Sequence, residues 1–238
     1  MRTCRRASLV AAALLMFAGE NALAQVDSAK ETWPAIRATF DLKPRFGVLV
    51  YAEKHNGEDE SLAQWKLGTT LNFRMKRILK RHRDDIEEEN EYNVVVGVGY
   101  EFIKTNQINS TKVEHRVIVE STPKYMLPAR FLVQDRSRIE FRWNGGTYNF
   151  RYRNKLTVDR PFKINKFRFQ PYASGELFWD RNHHAWNENQ YAFGVQFPYK
   201  KLLMLDTYFL RQNCTTCSED PLGVFGIKLN FYFKRRNP

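Results

Sequence analysis

Beyond residue 24 the chain has no apolar run approaching the roughly 18 residues that a bilayer-spanning helix requires, so no helix is expected to cross a membrane there. Cysteine is scarce as well. Of three cysteines, Cys4 lies in the first stretch, which leaves Cys214 and Cys217 as the thiols available for a disulfide or a metal. No nucleotide-binding glycine loop and no metalloprotease helix motif is present, which removes both chemistries. Negative charge is in deficit, with 26 Asp and Glu against 38 Lys and Arg. What the chain does have is aromatic residues, 18 Phe, 11 Tyr and 5 Trp, spread through short alternating segments.

The start reads as a secretory leader. Arg2, Arg5 and Arg6 form a basic region, Ala7 to Ala18 an apolar one, and Ala22-Leu23-Ala24 a small-x-small cleavage site before Gln25. No lipid-attachment cysteine follows it. Removing its three arginines and Glu20 lowers the formal net charge from +12 to +10. In an exported protein that excess meets lipopolysaccharide phosphates or acidic solutes before nucleic acid. The favoured reading is simpler: arginines pair with carboxylates inside the fold, and the surplus lies in loops. An exported chain of this composition is a soluble periplasmic protein or an outer-membrane barrel.

The stretch from Arg136 to Leu156 decides between them. Ile139, Phe141 and Trp143 alternate with Arg138, Glu140 and Arg142; after Asn144-Gly145-Gly146, Tyr148, Phe150 and Tyr152 alternate with Asn149, Arg151 and Arg153. This predicts a hairpin with one aromatic and one charged face. A Gly145-Gly146 loop would pair Trp143 with Tyr148, Phe141 with Phe150 and Glu140 with Arg151. An Asn144-Gly145 loop would shift the partners and keep the faces. Large aromatics on one face and dense arginine on the other suit a barrel with lipid outside and a polar lumen.

The same period predicts ten strands, at about 45–53, 62–74, 92–103, 112–121, 131–143, 147–159, 167–180, 188–197, 202–212 and 223–233. The expected fold is therefore all-β, an antiparallel up-and-down transmembrane β-barrel of about ten strands, with twelve as the alternative. An even number puts both ends of the barrel on the periplasmic side. Residues 25–44 form either a lead-in or an extra strand, with Ala35 to Leu42 bracketed by Pro34 and Pro44. The barrel proper is expected over 45–233, and 234–238 form a basic tail.

Outward sets include Tyr92, Val94, Val96, Val98, Tyr100 and Phe102; Tyr191, Phe193, Val195 and Phe197; and Phe225, Ile227, Leu229, Phe231 and Phe233. Inward glycines such as Gly97 and Gly99 leave room for bulky neighbours, arginines among them. The connections at 213–221 and 181–187 read as long and polar, and 198–201 as short, the long-outside rhythm of bacterial barrels. Two places break it: the tight Gly145-Gly146 turn, and the charged insert 75–91. As a helix the insert would show Met75, Ile78 and Leu79 as a stripe, but a self-neutralising solvated loop is favoured. Alternation also fails at Asp135 and Ser137, which calls for a β-bulge or a turn extending to Arg136.

Several motifs occur in an order that resembles a known family. They are Glu114-His115-Arg116, Arg136 to Arg142, Phe150-Arg151-Tyr152-Arg153, Pro171-Tyr172 with Glu176-Leu177-Phe178, and Tyr208 to Gln212. Together they resemble an uncharacterised family of bacterial outer-membrane-type barrels, domain-of-unknown-function family 2490, over about residues 33–233. The resemblance implies the barrel fold and outer-membrane placement, and neither an activity nor catalytic residues. Two features depart from the expected pattern: the 75–91 insert, and Lys234 to Pro238 following Phe233, the terminal aromatic that assembly machinery would read.

The candidate lumen-lining residues are Arg138, Glu140, Arg142, Arg151, Arg153, Lys155 and Glu176. They are expected to form an Arg–carboxylate ladder that plugs a small barrel, with a narrow anion-preferring channel as the other reading. Cys214 and Cys217 are expected to form a disulfide in a loop; zinc held with His183 and His184 is the sharper and less favoured idea. A lipid-modifying enzyme is the alternative function, but His115 beside Glu114 has no serine at a fitting spacing. No enzyme activity, catalytic residue, metal or cofactor is expected. The expected partners are outer-membrane lipid, lipopolysaccharide and the barrel-assembly machinery, with no nucleic acid, for a monomer in the bacterial outer membrane.

Overall fold

The computed structural model describes residues 31–57, 63–76, 92–107, 110–165, 167–200, 202–216 and 221–233. The leader, the insert beyond Lys76, Cys217 and the tail 234–238 lie outside the described residues. Period-two alternation becomes strand almost everywhere else. The strands are β1 (Glu31–Lys43), β2 (Phe46–Gly57), β3 (Ala63–Lys76), β4 (Tyr92–Gln107), β5 (Ser110–Leu127), β6 (Phe131–Asn144), β7 (Thr147–Asp159), β8 (Phe162–Ile164), β9 (Phe167–Asp180), β10 (Ala185–Tyr199), β11 (Leu203–Cys214) and β12 (Leu222–Phe233). All but the three-residue β8, which pairs with β9, form a closed ring.

That ring has 11 strands, neither ten nor twelve. The additional strand is β1. Its prolines do not break it, because Pro44 lies in the turn to β2 and Pro34 falls where the ladder with β2 skips from Thr32 to Ala35. Every other contact in the ring is antiparallel, but an odd count forces β1 and β12 to meet in parallel, from Glu31 opposite Val224 to Phe40 opposite Phe233. The first strand therefore starts at one rim, here called the Glu31 rim, and the last strand ends at the other, the Phe233 rim. The expectation that both lie at one end is corrected by this parity.

The Asn144-Gly145-Gly146 hairpin closes with Gly145 and Gly146 as its two loop residues, at φ 56° and 86°. Both values lie in the left-handed region that favours glycine, as a type I′ turn requires. Trp143 then faces Tyr148, Phe141 faces Phe150, and Glu140 faces Arg151. Met75 belongs to β3 and lies on its exposed face, not on a helix.

Exposure alternates along each strand in the sense opposite to a soluble domain. Ile36, Leu67, Leu71, Val98 and Phe193 are exposed, whereas Glu53, Glu101, Glu140, Glu176 and Asp206 are buried. Outward aromatics gather towards the rims. Trp65, Trp143, Trp179 and Trp186 lie near the Glu31 rim; Phe40 stacked on Phe233, Phe46 tilted against Phe73, and Phe162 stacked on Phe169 lie near the other.

One part of the outer wall departs from this. β6 keeps one register with both neighbours, so no bulge turns Asp135 and Ser137 inward. The ladder with β5 merely skips the pairs near Pro123, which has no N–H to donate. The two polar residues stay outside and satisfy each other through β7. Asn154 Nδ2 donates to Asp135 Oδ1 at 2.7 Å and to Ser137 Oγ at 3.3 Å, and Ser137 Oγ lies 3.1 Å from the Tyr152 hydroxyl.

Candidate functional site

Inside the wall, between β4 and β10, charged side chains occupy successive inward positions and neutralise one another. Glu140 is the centre, with no exposed surface. Arg153 Nη1 donates to it at 2.8 Å, and Arg116 and Arg138 lie at 3.7 and 3.9 Å. Arg153 also donates through Nε to Glu176 at 2.9 Å and lies over the buried Phe178 ring, 4.5 Å from its centroid. Glu176 is shared further with Arg136 at 2.8 Å and Lys155 at 3.9 Å.

Around this centre the pairs are forked. Arg142 spans both oxygens of Glu114 at 2.5 and 3.0 Å, and Arg138 places Nε and Nη2 on one oxygen of Glu120 at 2.9 and 2.7 Å. Arg151 reaches Asp180 at 3.1 Å and Glu188 at 3.4 Å. Charge-assisted forks of this kind are the stronger class of hydrogen bond, and burial removes the competition of water. Glu101 Oε2 and Glu140 Oε2 make no hydrogen bond and are held by longer ion pairs to Arg116, at 3.6 and 3.7 Å.

All seven candidate residues thus lie in one connected lattice: Arg138, Glu140, Arg142, Arg151, Arg153, Lys155 and Glu176. Glu101, Glu114, Arg116, Glu120, Arg136, Asp180 and Glu188 complete it. Their signal was parity. Arg136 precedes Arg138 by two, and Glu101 follows Gly97 and Gly99 on the same face. Several links skip a strand, such as Arg136 on β6 to Glu176 on β9 and Arg138 on β6 to Glu101 on β4. Inward curvature of the wall brings those side chains within reach.

The remainder of the interior is built differently. Tyr51, Tyr172 and Tyr208 each lie flat over a glycine directly opposite, Gly68, Gly194 and Gly226. A Cβ at Gly226 would come within 1.9 Å of Tyr208 Cζ, and one at Gly68 within 2.2 Å of Tyr51 Cζ. At these positions the space is taken by tyrosine rather than by arginine; at Gly47 the nearest neighbour is an arginine, Arg74 Nη2 at 3.0 Å. Tyr51 donates to Glu101 and Tyr172 donates to Asp206 at 3.0 Å. Glu53 joins Lys66 at 2.9 Å and His55 at 2.6 Å, with His55 stacked on Trp33.

The other singled-out residues are dispersed. Glu114 is buried inside, while His115 is on the outer face against Tyr100, at 2.5 Å, and Phe102. Adjacent strand residues face opposite ways, so the two do not form an acid–base pair. His183 and His184 occupy the exposed turn between β9 and β10. Cys214 is disulfide-bonded, which removes its thiolate as a zinc ligand, and no group of three or more His, Cys, Asp or Glu among the described residues is placed to hold a metal.

These features define the class: a closed β-barrel whose interior carries buried, paired charge. The chain belongs to the family described as Protein of unknown function (DUF2490), whose model matches residues 30–221, from the start of β1 past the end of β11. No curated protein matches it.

Proposed function

We propose that the protein is a bacterial outer-membrane barrel whose lumen is closed by its own ion-pair lattice, with a structural, non-enzymatic and non-conducting role. One observation carries this reading: polarity is inverted, with exposed Ile, Leu, Val and aromatic side chains outside and buried, paired Arg and Glu inside. In water an outer wall of this kind would be a large adhesive surface. In a bilayer it is the lipid contact, and rim aromatics suit the two interfaces. Outer-membrane lipid and lipopolysaccharide are then its surroundings, the assembly machinery its route, and a monomer its form. Arg142 and Arg151 act here as filling, because each is held by carboxylates on neighbouring strands.

The test combines fractionation with recording. The protein is expected to sediment with outer membranes and to need detergent for extraction. Purified into planar bilayers it is expected to give no conductance steps, while the Arg142→Ala, Arg151→Ala double variant opens measurable ones. Recovery in the soluble periplasmic fraction would overturn the placement, and steps from the unaltered protein would overturn closure.

A further inference from the structure

Two interior cations stand outside both the lattice and the Glu53–Lys66 pair. Arg37 on β1 and Lys228 on β12 both face inward across the parallel seam. Lys228 lies opposite Ala35, so Arg37, two residues on, is its diagonal neighbour on the same face, about 7 Å away between backbones. Among the described residues, no carboxylate lies within ion-pair distance of either. Asp206 lies directly opposite Lys228 on β11, yet its carboxylate accepts from Tyr172 instead. Lys228 Nζ turns over the Tyr208 ring, 4.0 Å from its centroid, and Arg37 Cζ lies 5.6 Å from that of Tyr51. Arg37 Nε is buried without a hydrogen-bond partner. The Tyr208 hydroxyl, carried towards the seam because Gly226 gives the ring room, makes no hydrogen bond among the described residues.

A guanidinium, an ammonium and a phenol, each able to donate, therefore share one interior region, with no carboxylate in ion-pair contact among the described residues. The charges of Arg37 and Lys228 act on each other, and the carboxylates of Asp206 and Glu53 face the same region from beyond ion-pair distance of Lys228. Both side chains are half-buried, and two like charges side by side raise each other's cost. Aromatic faces soften that cost without neutralising it. A tetrahedral oxyanion accepts from forked guanidinium, ammonium and hydroxyl donors together.

We propose that the seam region of the lumen binds a small oxyanion, of the size and charge of inorganic phosphate or sulfate, between Arg37, Lys228 and Tyr208. The site does not depend on the barrel's compartment or on whether it conducts.

The test uses the folded barrel in detergent, titrated with sodium sulfate and, separately, sodium phosphate. Sodium chloride holds ionic strength constant, and the thermal midpoint and binding heat are the readouts. A saturable midpoint rise is expected, with affinity at least about tenfold weaker in Arg37→Gln and in Lys228→Gln. Arg211→Gln, on the exposed outer face, is expected to titrate as the unaltered protein does. Should either lumen variant fail to fold, Tyr208→Phe, which loses only the hydroxyl, is expected to weaken binding severalfold. The proposal is wrong if chloride alone reproduces the rise, if no saturable heat appears, or if Tyr208→Phe and whichever lumen variants fold titrate like the unaltered protein.

Discussion

The two halves of the interior fill the same curved space by different means. Between β4 and β10 the filling is a lattice of arginines and carboxylates centred on Glu140; from β9 through the seam to β3 it includes tyrosine rings laid on glycines. In the first half the central charges, Glu140, Arg153 and Glu176, are each held by several partners, so one loss leaves others uncompensated. In the second each tyrosine ring rests on a glycine of the adjacent strand, and shape decides the outcome there. Charge therefore ties distant strands together, whereas the tyrosine–glycine pairs set how closely adjacent strands pack.

The comparison is broken most sharply at Glu140. Glu140→Gln keeps the volume and removes the charge that Arg153, Arg116 and Arg138 share. A loss of about 3–5 kcal/mol is expected in urea unfolding from lipid vesicles, followed by tryptophan fluorescence. A loss near zero would mean that the lattice is as replaceable as surface charge. Gly226→Ala addresses the other half. The new methyl collides with the Tyr208 ring, and about 1–3 kcal/mol is expected to be lost. Combining it with Tyr208→Ala should return most of the clash, a non-additivity that the same unfolding experiment reads directly. The smallest effect is expected at Arg74, whose single ion pair with Asp41 at 2.5 Å is partly exposed and lies outside the lattice. Arg74→Gln should cost no more than about 1 kcal/mol and shrink with added salt, whereas the Glu140 effect should hardly respond to salt.

Strands and faces were legible because a period of two needs only the residues of one segment. The hairpin at Gly145-Gly146 was legible for the same reason. β1 was ambiguous because proline reads as a breaker until its ladder partners are known; at Pro34 the partner is skipped, and at Pro44 the strand has already turned. Asp135 and Ser137 looked like a bulge because their partner, Asn154, lies on the next strand and does not show in a local pattern. The lattice was half legible. Parity marks Arg138, Glu140 and Arg142 as one face, but the link from Arg136 across to Glu176 depends on barrel stagger and curvature. Inward glycines were expected to leave room for bulky neighbours, arginines among them; only the register shows that at Gly226 and Gly68 the neighbour is tyrosine.

The parallel seam has a consequence for the order in which such a wall is assembled. Along the ring, each antiparallel contact joins strands that are neighbours in the chain, apart from the short β8 between β7 and β9. Each therefore closes a loop far shorter than the whole chain, the longest of them between β3 and β4, at small entropic expense. The seam joins Glu31 to Val224, nearly the full length of the described chain apart. The loop-closure cost of making a cylinder from a meander is thus concentrated in one pairing, between two edges that gain their hydrogen-bond partners only when every intervening hairpin is already in place.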